Sequence, residues 1–224
     1  MKGAVMVYAV IVAGGSGSRI GGKVPKQFLE IGGKSILRRT VEAFEKAPSV
    51  GGIVLVVPTD YLGKCREEYT RGGAFSKMKA VVPGGDCRGE SVRAGLSCCG
   101  GADAVMVHDG ARPFVSQDII ARTAEALVEN EAVIVAVPSK DTVKIVDEEG
   151  FVVETPARKN CFMVQTPQAF KYDAIVKAYE AAGEDLSAFT DDSMVYEAAG
   201  LGRVKVIEGS YENKKITTPD DLKG

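Results

Sequence analysis

The 224-residue sequence has a single histidine and five cysteines, with no C-x-x-C pair among them. Too few ligands remain for a zinc site, and an odd set of unpaired thiols makes no disulfide framework. Cys65, Cys87, Cys98, Cys99 and Cys161 read instead as small core residues in a reducing cytoplasm. Charge of one sign is lacking too. The 28 basic residues oppose 30 acidic ones for a net of −2, which argues against a nucleic-acid footprint and a polybasic membrane patch. Any anion site must therefore be local. No run approaches the ~18 apolar residues of a membrane span. The opening MKGAVMVYAVIVAGG starts like a signal peptide, but glycines and then cations stand where a small-residue cleavage site belongs, so it reads as a buried first strand.

What is present is enough hydrophobic residue, 45%, to bury the core of one α/β domain. Continuous apolar runs bounded by Gly or Pro recur at Ala4–Val12, Ile53–Val57, Lys79–Val82, Ala104–Val107 and Ala132–Val137, the pattern of strands covered on both faces. Between them lie amphipathic stripes. Ser35 caps one made of Ile36, Leu37, Thr40, Val41 and Phe44; Ser116 caps another made of Ile119, Ile120, Ala124, Leu127 and Val128. Strand and helix alternating in this way predict a doubly wound, mostly parallel sheet. The alternation breaks at Pro138. Residues 139–165 read as a hairpin, TVKIV, a DEEG turn and FVVET, followed by a short strand at FMVQ. Such an excursion buries little of itself and predicts a protruding arm that packs on a second subunit. Helices at Ala169–Ala182 and Asp191–Ala199 and a strand at Val204–Ile207 follow.

After the first strand comes VAGGSGSRIGGKVPKQ. A glycine-rich loop between strand and helix turns backbone N–H groups toward a phosphate. Two common forms fail here: Gly15 and Gly17 are followed by Ile20 rather than the third glycine of a dinucleotide fingerprint, and Phe28 stands where a Walker loop ending at Gly33-Lys34-Ser35 would need its first glycine. Arg19, Lys23 and Lys26 instead suit a triphosphate that is consumed. Asp109, directly after a strand in V-M-V-H-D-G-A-R-P, lies at the edge where such sheets bind ligands, and a lone carboxylate there suits Mg²⁺ shared with phosphate oxygens. Arg112 can serve phosphate or pair with Asp109, and the sequence leaves both open. His108 fits a core role better than a catalytic one. In P-G-G-D-C-R-G-E-S, Asp86 and Ser91 can read a base edge while Arg88 braces the loop, or Asp86 can merely cap a helix. Lys214 and Lys215 near the end are a solvated pair or part of the site.

In chain order these motifs resemble the 2-C-methyl-D-erythritol 4-phosphate cytidylyltransferases of isoprenoid precursor biosynthesis. The family's A-A-G-x-G-x-R-M and P-K-Q correspond to 13–20 and 25–27, G-G-x-x-R-x-x-S-V-x-x-G-L to 84–96, and V-H-D-x-A-R-P to 107–113. D-T-x-K corresponds to 141–144, R-x₇-T-P-Q to 158–168, T-D-[DE] to 190–192, and N-x-K-[IV]-T-x-P-x-D-L to 213–222. Gly14 for a common alanine is expected to loosen the loop, and Ile20 replaces methionine. The resemblance implies a Rossmann-like nucleotidyltransferase domain spanning 1–224, cytoplasmic and homodimeric through an arm at about 139–165. It implies that Ala13, Gly14, Gly15, Ser16, Gly17, Arg19 and Lys26 grip the triphosphate of CTP, and that Gly85, Asp86 and Ser91 recognise cytosine. It further implies that Asp109 places Mg²⁺ and that Arg112, Thr166 and Lys215 line the reaction centre, with Arg19, Lys26 and Lys215 as the catalytic cations. Thr142 and Arg158 reach a sugar-alcohol phosphate across the dimer. Alternatives are a ribitol 5-phosphate cytidylyltransferase and a catalytically silent nucleotide sensor.

Overall fold

The structure is a computed structural model, and it describes residues 5–15, 24–71, 73–217 and 221. Seven strands make the main sheet: β1 (Val7–Val12), β4 (Val50–Val57), β5 (Met78–Pro83), β6 (Ala104–Asp109), β7 (Ala132–Pro138), β10 (Phe162–Lys171) and β11 (Val204–Glu208). Two small hairpins stand apart, β2 (Glu30–Ile31) with β3 (Lys34–Ser35), and β8 (Ile145–Val146) with β9 (Val152–Glu154). Across the main sheet the order is β11-β7-β10-β6-β1-β4-β5. Every neighbouring pair is parallel except the two made by β10, which runs antiparallel to both β6 and β7.

The strands read as unbroken apolar runs because helices cover both faces. On one side α1 (Ile36–Lys46), α2 (Leu62–Thr70) and α4 (Gln117–Ala126) bury Leu37, Val41, Phe44, Cys65, Ile119 and Ile120 against Ala9, Ile11, Leu55 and Met106. On the other, α3 (Arg88–Leu96), α5 (Tyr172–Ala181) and α6 (Asp192–Ala198) bury Val92, Ile175, Tyr179 and Tyr196 against Val10, Val54, Val56 and Val107. Alternate residues of β1 thus serve opposite layers. Each fully buried side chain of this kind contributes about 1.5–3 kcal/mol over leaving it in water. Both expected caps form: Ser35 Oγ accepts from Arg38 N at 3.1 Å and Ser116 Oγ from Ile119 N at 3.2 Å.

Four local expectations change. The strand expected at FMVQ continues to Lys171, so Ala169 and Phe170 belong to β10 and the next helix begins only at Tyr172. Sheet pairing with Met106 and Val105 on one side and Val133 and Ala132 on the other outweighs the helical propensity of that stretch. Val128 is exposed rather than in the stripe, because α4 stops at Ala126 and the chain turns away. Of TVKIV and FVVET only Ile145–Val146 and Val152–Glu154 pair. Helix α2 went unread because it buries only Cys65 and Tyr69, too thin a stripe to stand out.

Strand order reverses between β1 and β6, since the chain winds outward through β4 and β5 and then returns to β6 on the other side of β1. Such a switch point opens a crevice at the carboxyl ends of the two strands. Register places Val12 beside Asp109 at that edge. The glycine loop leaves β1 there, and the loop carrying Ala111 and Arg112 leaves β6.

Candidate active site

A cavity of about 540 Å³ occupies this crevice. Ala13, Gly14, Gly15, Lys26, Gly85 and Asp86 line it, joined by Ser91, Asp109 and Lys215, so residues from five separate motifs meet in one place. Ser16, Gly17, Arg19 and Lys23 lie outside the described residues.

The loop walls are held by hydrogen bonds. Gln27, buried, donates from Nε2 to the carbonyls of Ala13 at 2.7 Å and Gly15 at 3.0 Å, fastening the glycine loop to the turn that carries Lys26. On the facing loop, Ser91 Oγ accepts from Gly85 N at 3.1 Å and gives its only hydrogen to the Cys87 carbonyl at 3.1 Å. Glu90 accepts from Asp86 N at 2.9 Å. The α3 cap is Cys87, whose Sγ accepts from Glu90 N at 3.5 Å, so Asp86 is not the helix cap and instead lines the cavity. A Cβ at Gly14 would lie 2.8 Å from Ser91 Oγ and 3.3 Å from Gly84 Cα, so glycine is what lets the two loops touch.

Asp109 is the electrostatic centre. Its carboxylate lies 2.9 Å from Lys215 Nζ, 3.4 Å from Arg88 Nε and 3.5 Å from Arg112 Nε. Burial by itself raises the pKa of this carboxyl, but Arg88, Lys215 and Arg112 outweigh that and hold it well below the usual carboxylate range. Arg88 is itself anchored by a bidentate pair to the fully buried Asp192, at 3.0 and 2.8 Å, and Tyr179 Oη donates to the same carboxylate at 2.7 Å. Burial works against the guanidinium charge, and Asp192 and Asp109 more than restore it, raising its pKa above the ordinary arginine value.

His108 is fully buried with its ring 4.8 Å from that of Phe44. Nε2 lies 3.2 Å from the Arg112 carbonyl, which can only accept, so Nε2 carries the hydrogen and Nδ1 accepts from the Thr166 hydroxyl at 3.1 Å. Burial pushes the pKa of this imidazole down to about 4, and the neutral ring is a structural group, as its sequence context suggested. Thr166 Oγ1 in turn accepts from Asp109 N at 3.0 Å.

A second cavity of about 240 Å³ adjoins the first, sharing Arg88, Asp109 and Lys215 with it. Its other walls include Arg112, Gln165, Thr166, Gln168, Thr190 and Asp191. Thr166 reaches it because β10 shifts register between Val164 and Gln168 and bulges there, re-aiming the backbone toward the site. Thr142 and Arg158 are not brought in. Both are exposed on the arm and line neither cavity; Arg158 Nη1 donates to the Lys140 carbonyl at 3.4 Å. The two terminal lysines part ways: Lys214 lies 6.0 Å from the Phe114 ring centroid while Lys215 meets Asp109. Gln27, Asp192, Gln168, Tyr179 and Asn213 received no role from sequence. All but Tyr179 fall inside the quoted motifs, but partners 13 to 104 residues away cannot be read from spacing.

The family model described as IspD, 2-C-methyl-D-erythritol 4-phosphate cytidylyltransferase, matches residues 7–224. The chain belongs to this cytidylyltransferase family. A cytidylyltransferase of the same description from Geobacter metallireducens is 44% identical over 220 residues, covering 96% of this chain and 94% of the relative. One from Desulforamulus reducens is 46% identical over 217 residues, covering 96% and 92%. The crystal structure of 4-diphosphocytidyl-2C-methyl-D-erythritol synthase from Anaerococcus prevotii is similar with a TM-score of 0.85 and 34% identity, over 98% of this chain and 95% of that one. The residues that line the two adjoining cavities, Lys26, Arg88, Asp109 and Lys215 among them, lie within the stretch that the family model matches.

Proposed function

We propose that the larger cavity holds CTP and the smaller one the sugar-alcohol phosphate, with the reacting phosphates meeting where the cavities join. The chain is a cytidylyltransferase: it joins CTP to 2-C-methyl-D-erythritol 4-phosphate and releases pyrophosphate. The observation that carries the assignment of the pockets is Asp109 with Lys215 and Arg88 beside it, on the wall common to both, and with Arg112 next to it on the smaller one. A phosphate oxygen of the acceptor attacks the α-phosphorus of CTP in line. The bond to the β-phosphate oxygen breaks, and the pyrophosphate leaves with the electron pair. A phosphomonoester is already an anionic nucleophile, so no protein nucleophile or general base is needed. Lys26 and Lys215 neutralise the charge that accumulates, and Arg19 is assigned the same task. Gly85 and Asp86 take the cytosine, with Ser91 holding their loop in shape.

Magnesium fits the donor set in one form only. Asp109 is a fully ionised carboxylate, and the described residues contain no group of three or more His, Cys, Asp or Glu able to hold a metal. A Mg²⁺ ion at Asp109 would therefore draw its other ligands from phosphate oxygens and water, and when bound it would offset phosphate charge. Thr142 and Arg158 act on the acceptor phosphate of the partner subunit's site. What supports the dimer is the arm, whose Phe151, Val152 and Val153 are 67%, 56% and 61% exposed, too much apolar surface to leave in water. A cytoplasmic location accords with five free thiols and with the lack, among the described residues, of any helix long and apolar enough to cross a membrane.

Pyrophosphate release from CTP, measured with 2-C-methyl-D-erythritol 4-phosphate and with ribitol 5-phosphate in turn, tests the reading. Release with the first and not the second is expected. Release with ribitol 5-phosphate alone would transfer the assignment to the sister activity, and no release with either would favour a nucleotide sensor.

A further inference from the structure

Beside the two cavities, four residues form a closed cycle of hydrogen bonds. His108 Nε2 donates to the Arg112 carbonyl at 3.2 Å, and Arg112 Nη1 donates to the Asn213 carbonyl at 2.8 Å. Asn213 Nδ2 donates to the Thr166 carbonyl at 2.9 Å, and the Thr166 hydroxyl closes the cycle on His108 Nδ1 at 3.1 Å. His108 and Asn213 are 0% exposed and Thr166 is 3% exposed. Three segments distant in sequence are tied together: the end of β6, the bulge of β10 and the chain at 213–216.

Each segment carries at least one group of the proposed reaction centre: Asp109 and Arg112 on the first, Thr166 on the second and Lys215 on the third. Asp109 N donates to Thr166 Oγ1 at 3.0 Å, Arg112 N donates to the Asp109 carbonyl at 3.0 Å, and Ile216 N donates to the Ala111 carbonyl at 2.8 Å. Lys215 therefore sits between two anchored residues, Asn213 and Ile216, as it reaches Asp109 at 2.9 Å. We infer that His108 and Asn213, which line neither cavity, are positioning residues whose hydrogen-bonded ring fixes Asp109, Arg112 and Lys215 relative to one another. A buried polar ring is a poor device for stability alone, since hydrogen bonds exchanged with water yield little net and an apolar core serves as well. It is a good device for holding direction, because each bond is angle-dependent and the ring can close in only one arrangement. The inference rests on the cytidylyl-transfer reading given above.

The test is a cycle of His108→Phe, Asn213→Ala and the double variant, each with thermal unfolding and with kcat and KM for CTP and for 2-C-methyl-D-erythritol 4-phosphate. Misplacement of reacting groups predicts kcat lower by about 10- to 100-fold in each single variant, with KM for CTP little changed. Groups that act as one unit lose their effect together, so the double variant should fall no further than the worse single one. His108→Gln, which keeps a neutral donor toward the Arg112 carbonyl, should recover part of the loss and replaces His108→Phe in the cycle if that variant does not fold. Losses that multiply in the double variant, or single variants with normal kcat, overturn the ring. A second readout is independent of turnover. Because the chain has one histidine, ¹⁵N labelling gives a single pair of ring signals, which should show a neutral ring protonated at Nε2. A ring protonated at Nδ1 overturns the arrangement even if the enzyme is active, whereas failure of the wild type to release pyrophosphate counts against the functional reading alone.

Discussion

The carboxyl edge of the sheet and the arm break the usual partition of residues in opposite ways. At the edge, charged and polar groups are buried: Asp192 and His108 are 0% exposed. On the arm, apolar groups are out: Phe151 is 67% exposed and Val153 61%. The edge is tolerable because every buried charge has a named partner, Asp109 with three cations and Asp192 with Arg88 and Tyr179. The arm has no such internal compensation; its strands pair over only a few residues, and it leaves its apolar carbon in water within this chain. Departures from inside-apolar order thus occur in two forms, buried charge with internal partners and exposed carbon without them, the second being the ground for the proposed dimer.

The sharpest way to break the comparison is to remove a partner at the edge. Asp192→Ala leaves the Tyr179 hydroxyl unpaired and Arg88 with only its longer contact to Asp109, and we expect a loss of stability of about 3–5 kcal/mol in urea denaturation. Unchanged stability would mean that water replaces Asp192 at no cost and that the edge is no more tightly built than the arm.

Lys26→Ala separates chemistry from packing within the edge. Its turn is fastened to the glycine loop through Gln27, so the fold should persist while kcat/KM falls by ~10²–10³, about 3–4 kcal/mol of transition-state stabilisation. Near-normal turnover would remove Lys26 from the reaction.

The smallest effect belongs to the arm. Arg158→Ala should raise KM for the sugar-alcohol phosphate by about tenfold, the equivalent of about 1.4 kcal/mol, with KM for CTP unchanged, and sedimentation should show a dimer for both the variant and the wild type. Equal changes in both KM values would refute the assignment across subunits, and a monomer in sedimentation would remove its basis.

Much of the frame was legible because it rests on periodicity and caps. Ile36, Leu37, Thr40, Val41 and Phe44 are buried as their stripe predicts, and the glycine loop and Asp109 lie at the same sheet edge because both follow parallel strands. What periodicity missed is instructive. Ala169 and Phe170 read as helix yet complete β10, because two neighbouring strands were waiting to be bridged. The approach of Gly14 to Ser91 had no signal in the sequence, because only the fold brings residue 91 to residue 14.

The sequence by itself determined the doubly wound class, the glycine-rich connection that leaves the first strand and the family, since these depend on local patterns of apolar, glycine and charged residues. Only the tertiary structure decided which carboxylate faces which cation. That choice is set by the order of strands: β6 lies beside β1 on one side and β10 on the other, and so Asp109 meets Arg88, Thr166 and Lys215, partners that adjoin it in space and that chain spacing alone could not pair.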